Sequence, residues 1–177
     1  MRRDDFVRAL IGLGVAPLAG CAPKDALGPD LGDRRYDPGA RDRLRPLEEW
    51  RTMLPPDQYA VLFEEWTEPP GSSALTGEKR PGTYLCGACF IPLFGSDAKY
   101  DSGTGWPTFW GPLLEPRIGF SRDLALPVER TEYHCTRCGG HHGHLFDDGP
   151  QPTGMRYCNN GLALRFVPSG EPLPDWR

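Results

Sequence analysis

No apolar run in this sequence approaches the roughly 20 residues that a helix needs to cross a bilayer. No Lys/Arg-rich run is present either, and the formal net charge is −4. The electrostatic footprint of a nucleic-acid binder, a zinc ribbon on DNA or RNA included, is therefore missing. Long helical periods vanish after about residue 67, and no internal repeat is apparent. Glycine (22) and proline (20) are plentiful instead, a composition of turns and short strands. A length of 177 residues fits one domain with a real core.

The chain opens as an address. Arg2 and Arg3 precede a weakly apolar stretch, Ala9 to Gly20, which runs into Leu18-Ala19-Gly20-Cys21. This resembles a bacterial lipoprotein processing site, with Cys21 as the lipidated residue. Arg2-Arg3-Asp4-Asp5-Phe6-Val7 resembles a twin-arginine export signal with one extra Asp. A signal cleaved without lipidation and an amphipathic helix are the alternatives. The reading is a signal peptide over 1–20, a Pro/Gly/Asp-rich tether over 21–43, a domain over 44–168 and a polar tail over 169–177. It implies an exported, periplasmic protein anchored to the membrane.

Leu47, Trp50, Met53 and Leu54, then Tyr59, Leu62, Phe63 and Trp66, follow helical spacing. Pro55-Pro56 splits them into two short helices. Beyond them, Thr83 to Leu85, Tyr133-His134 and Leu162 to Val167 read as strands.

Six cysteines are present. Cys86-Gly-Ala-Cys89 and Cys135-Thr-Arg-Cys138 are C-x-x-C turns, each able to offer two thiolates to a tetrahedral zinc. Gly139 and Gly140 permit a tight knuckle. Four sulfurs close the coordination sphere, so the metal would be structural. Disulfides and redox-active C-x-x-C motifs are the rival readings.

Cys158 stands apart, in Arg156-Tyr157-Cys158-Asn159-Asn160. In a strand, Arg156, Cys158 and Asn160 share a face, and the same period continues through Leu162, Leu164 and Phe166. A guanidinium beside the thiol is expected to lower its pKa. His144, next to Leu145-Phe146 and the carboxylates Asp147 and Asp148, suits proton transfer near neutral pH. Lys99 to Phe109 joins a glycine turn to aromatics, and Trp106 is either core or one wall of an apolar pocket.

Taken in order, these strings resemble the type B methionine sulfoxide reductases over roughly Pro46 to Val167. The matching strings are Thr67-Glu68-Pro69-Pro70, the first C-x-x-C with Pro92-Leu93-Phe94, Lys99 to Pro107, the second C-x-x-C, His141 to Pro150, and Pro152-Thr153-Gly154 leading into Arg156-Tyr157-Cys158. The resemblance implies a mainly β fold of two antiparallel sheets with short N-terminal helices and one structural Zn2+. It implies Cys158 as nucleophile, with His144, Arg156, Asn160 and Asp148 as catalytic residues and Asp148 as the acid near His144. Trp106 holds the substrate methyl, with Phe146 and His141 also in the substrate site. The implied reaction reduces methionine-R-sulfoxide and leaves a sulfenic acid on Cys158, regenerated by a thioredoxin-like or small thiol. A monomer is expected. Three positions depart from the pattern: Thr104 where many members carry a resolving Cys, Gly71, and Asn159. A zinc-stabilised binding module without catalysis is the alternative.

Overall fold

The computed structural model describes residues 45–177. The signal segment, Cys21 and the tether lie outside the described residues. Two helices come first, α1 (Leu47–Met53) and α2 (Pro56–Phe63). Pro56 starts α2, where its missing N–H has no helical partner to lose. Glu48, Glu49 and Asp57 lie in the first turns and complement the helix dipoles. The helices bury Trp50, Leu54, Tyr59, Val61 and Leu62, and Trp50 stacks on Phe63 at 5.7 Å between centroids. Trp66, expected on that apolar face, is 65% exposed instead. The reason is the helix end: Glu65 takes φ 57 and the Trp66 N–H turns back to the Ala60 carbonyl at 3.1 Å, which swings the indole out.

Nine strands follow, and every pairing is antiparallel. β1 (Gly82–Cys86), β2 (Pro92–Gly95) and β9 (Leu164–Pro168) form a three-stranded sheet in the order β2-β1-β9. β3 (Lys99–Tyr100), β4 (Thr108–Phe109), β5 (Ile118–Asp123), β6 (Arg130–Cys135), β7 (His141–Phe146) and β8 (Arg156–Asn159) form a six-stranded sheet, β3-β4-β8-β7-β6-β5. An aromatic cluster joins the sheets. Phe94 stacks on Phe109 at 4.5 Å, Tyr84 meets Phe109 edge-on at 4.8 Å, and Tyr157 packs on Tyr133 at 5.3 Å. Each such pair adds about 0.5–1.5 kcal/mol beyond its buried area.

The strand expected to run unbroken from Arg156 to Phe166 does not exist. β8 ends at Asn159, a 3-10 turn occupies Gly161–Ala163, and β9 belongs to the other sheet. Glu68 is the cause. Its buried carboxylate accepts the Gly161 N–H at 2.6 Å and the Leu162 N–H at 3.1 Å, which draws these donors away from any strand ladder. The tail, read as a polar appendage, also packs: Trp176 lies on the core, and the Arg177 N–H reaches the Cys89 carbonyl at 3.0 Å. Among the described residues no helix is long and apolar enough to cross a membrane.

Candidate active site

β8 lies between β4 and β7, and its side chains alternate. Tyr157 and Asn159 are buried, while Arg156 and Cys158 are partly exposed on the other face. The register sets Cys158 directly opposite His144 on β7 and Thr108 on β4. Gly143 makes this approach possible, because a Cβ there would collide with the Cys158 carbonyl. A cavity of about 110 Å³ opens at this point, with Cys158, His144, Trp106, Phe146, Asn160 and Arg130 on its walls. Sequence reasoning placed the first five of these and missed Arg130.

Trp106 is fixed by its indole N–H, which donates to the Glu68 carbonyl at 3.0 Å. The Gly71 N–H donates to the Gly105 carbonyl at 2.7 Å, and the left-handed φ of 76 at Gly71 lets the two turns meet. Asn160 is buried at the corner after β8. Its Oδ1 accepts from the Glu68 N–H at 3.0 Å and its Nδ2 donates to the His142 carbonyl at 3.1 Å. Glu68 thus ties Trp106, Asn160 and the 3-10 turn together. It stood in a recognised string, yet nothing local announced this task. Asn159 is buried and lines the cavity, with its backbone N–H on the Pro107 carbonyl at 2.9 Å.

The carboxylate beside His144 is Asp123 and not Asp148. His144 Nε2 meets Asp123 Oδ2 at 2.7 Å across the sheet. Asp148 instead pairs in bidentate fashion with Arg156 at 2.6 and 2.8 Å. Sequence adjacency misled here because Asp148 follows the end of β7, whereas β5 brings Asp123 in from 21 residues away. His141, expected against substrate, is buried and off the cavity wall. Its Nδ1 meets Glu132 at 2.8 Å, and its ring lies 5.6 Å from that of His144. Phe146 carries the Arg156 guanidinium over its ring at 4.0 Å.

The Cys158 thiol is pushed up by burial, against the lowering expected from Arg156. The Thr104 hydroxyl and the guanidinium pull it down by less, and Arg156 is already neutralised by Asp148. Burial likewise lowers His144, opposed by Asp123. Asp123 itself is brought down to about 2 by the Ala125 N–H, then by His144 and Arg130. Thr104, the departure in the glycine turn, stands beside Cys158 and bonds Ser102 at 2.8 Å.

Cys86, Cys89, Cys135 and Cys138 converge from the β1–β2 and β6–β7 turns, all buried, with sulfurs within 4.8 Å of one another. The Cys86–Cys138 and Cys89–Cys135 separations are 3.6 Å, too long for disulfides. A tetrahedron with 2.3 Å metal–sulfur bonds has edges of about 3.8 Å, so the four residues fit a metal of that kind. On β7 the His142 carbonyl accepts from the Asn160 backbone N–H at 2.8 Å and from its Nδ2 at 3.1 Å.

Residues 54–168 match the SelR domain. A protein named peptide methionine sulfoxide reductase MsrB from Bradyrhizobium diazoefficiens is 50% identical over 125 residues, covering 71% of this chain and 90% of the relative. Its namesake from Pseudomonas putida is 48% identical over 122 residues, 69% of this chain and 92% of the relative. One from Caulobacter vibrioides is 44% identical over 128 residues, 72% and 80% respectively.

Proposed function

Because this chain belongs to the SelR-domain family of peptide methionine sulfoxide reductases, we propose that its cavity reduces methionine-R-sulfoxide to methionine on Cys158. One observation carries the reading: His144 faces Cys158 across β7–β8 inside a small cavity walled by an immobilised Trp106. A sulfoxide oxygen leaves only when protonated, so the reaction needs a sulfur nucleophile and an acid on one substrate atom pair. The thiol of Cys158 gives up its proton and attacks the substrate sulfur. His144 delivers a proton to the oxygen, and the oxygen ends on Cys158 as a sulfenic acid while methionine departs. Two electrons pass from the cysteine sulfur to the methionine sulfur. The Trp106 wall admits the methyl group and not the peptide side, which selects one sulfur configuration.

Regeneration falls to an external thiol, a thioredoxin-like protein or a small thiol, because Thr104 cannot form a disulfide and the other described cysteines are grouped in the buried cluster. That cluster holds a structural Zn2+, which fixes the β1–β2 and β6–β7 turns and stays out of the chemistry. Export as a membrane-anchored lipoprotein through Cys21 completes the reading and rests on the N-terminal sequence alone. The test is dithiothreitol-driven reduction of the separated R and S epimers of a blocked methionine sulfoxide. Turnover of R alone, abolished by Cys158→Ser, is expected. Equal turnover of both epimers removes the stereochemical assignment, and unchanged activity in Cys158→Ser removes the nucleophile.

A further inference from the structure

We propose that Asp123 is a positioning residue that holds His144 as its Nε2–H tautomer, so that Nδ1 is the nitrogen that takes the Cys158 proton and passes it to the sulfoxide oxygen. The inference rests on the reductase reading above. His144 Nε2 and Asp123 Oδ2 are 2.7 Å apart, and both side chains are largely buried, 12% and 15% exposed. Asp123 is held from two other directions. Arg130 Nη2 donates to Oδ2 at 2.6 Å, and the Ala125 N–H donates to Oδ1 at 2.8 Å. These donors keep it ionised well below neutral pH. An ionised carboxylate only accepts hydrogen bonds, so the hydrogen between the two groups sits on Nε2. Nδ1 then carries the lone pair in the neutral ring.

The groups facing His144 leave no rival for Asp123. Glu132 on β6 lies opposite His144 in register, but its carboxylate accepts from Ser121 at 3.1 Å and meets His141 Nδ1 at 2.8 Å. Arg130 on β6 and His141 on β7 oppose a charge on His144, while Asp123 on β5 favours it. Cys158 on β8 is the remaining neighbour across the ladder. The proton path follows. The Cys158 S–H bond breaks, the proton goes to Nδ1, and the imidazolium keeps Nε2–H on Asp123. The Nδ1 proton then moves to the sulfoxide oxygen as the Cys158 sulfur is oxidised and the substrate sulfur reduced.

Asp123→Asn removes the charge at nearly constant shape, since an amide can donate or accept and no longer dictates the tautomer. Two-dimensional 15N–1H spectra of the imidazoles, with His144 assigned by its absence in His144→Gln, read the tautomer directly. Nε2 protonation is expected in the unmodified protein, and loss of that preference in Asp123→Asn. Kinetically, kcat should fall by about 10- to 100-fold, part of what a general acid contributes, with KM within about twofold. The acid limb of kcat/KM should move to lower pH, because the carboxylate no longer supports the imidazolium. Asp123→Glu should recover part of both the tautomer preference and kcat. A merely structural Asp123 would lower the melting temperature without moving tautomer or pH limb. A protein with Nδ1 protonated on His144, or Asp123→Asn with unaltered kcat and pH profile, overturns the proposal. The tautomer is read in the unmodified protein even if the variant fails to fold. Failure to reduce the R epimer at all would strike the reductase reading and leave the spectroscopic result standing.

Discussion

At the residue scale, the thiol of Cys158 is governed by burial more than by its basic neighbour. Arg156 lies two residues away, but its guanidinium is shared with Asp148 through two short hydrogen bonds. Asp148 raises Cys158 and Arg156 lowers it. The sign of a perturbation follows. Asp148→Asn leaves the guanidinium unopposed, so the Cys158 pKa should fall and alkylation by iodoacetamide at pH 7 should accelerate several-fold, about tenfold per pKa unit while the thiol predominates. A slower or unchanged alkylation rate in that variant would mean that the ion pair does not set the thiol. In the proposed mechanism the reacting pair, Cys158 and His144, shares one proton in the unmodified enzyme. His144 lies below its ordinary value and Cys158 above its own, so kcat/KM should be flat between them. It should fall in acid, where both groups are protonated, and in strong base, where neither is. A maximum confined to a narrow range near pH 7 would contradict these opposed shifts.

At the element scale, the corner between β8 and β9 decides whether the site exists. Glu68 comes from a loop that no strand claims, and it satisfies two N–H groups of the 3-10 turn while its own backbone binds Asn160 and Trp106. Each buried donor left without a partner costs on the order of 1–3 kcal/mol. Glu68→Gln turns one acceptor into a donor facing a donor. It should lower the melting temperature and raise KM, since Trp106 loses its fixed neighbour. A thermal scan and steady-state kinetics on the R epimer check this, and a variant with both values unchanged would show that the loop is held by something else. The strand period was correct for Arg156 and Cys158 and failed beyond Asn159, because the backbone hydrogen bonds of residues 161 and 162 go to a carboxylate more than 90 positions away.

At the scale of the whole molecule, the four-cysteine cluster joins the three-stranded sheet to the six-stranded one, since Cys86 ends β1 and Cys135 ends β6. A structural zinc there would contribute on the order of 10 kcal/mol of apparent binding energy. Cys138→Ser should therefore give metal-free, poorly folded protein, checked by elemental analysis and circular dichroism. Active unmodified protein that contains no zinc would remove the metal from the reading. The same grouping bears on recycling. After one equivalent of substrate without reductant, the domain lacking Cys21 should carry a dimedone-trappable sulfenic acid on Cys158 and four unmodified cluster thiols, as mass spectrometry would show. A disulfide from Cys158 to any cluster cysteine would instead make that cluster the redox partner.

By itself the sequence determined the strand-and-turn texture, the helix break at Pro55-Pro56, the four cysteines of the cluster, and the strings that carry Cys158, His144 and Trp106, three residues that line one cavity. Each of these is encoded within a few positions, in a spacing, a period or a run of residue types. Only the tertiary structure decided which carboxylate serves His144, that Arg156 is neutralised, that His141 is buried behind the wall, and that Glu68 closes the corner. Those pairings join positions far apart in the chain, or, for Asp148, favour Arg156 eight positions away over His144 four positions away. Sheet register and burial set them, and both arise when antiparallel strands select one alignment that covers the shared aromatic core.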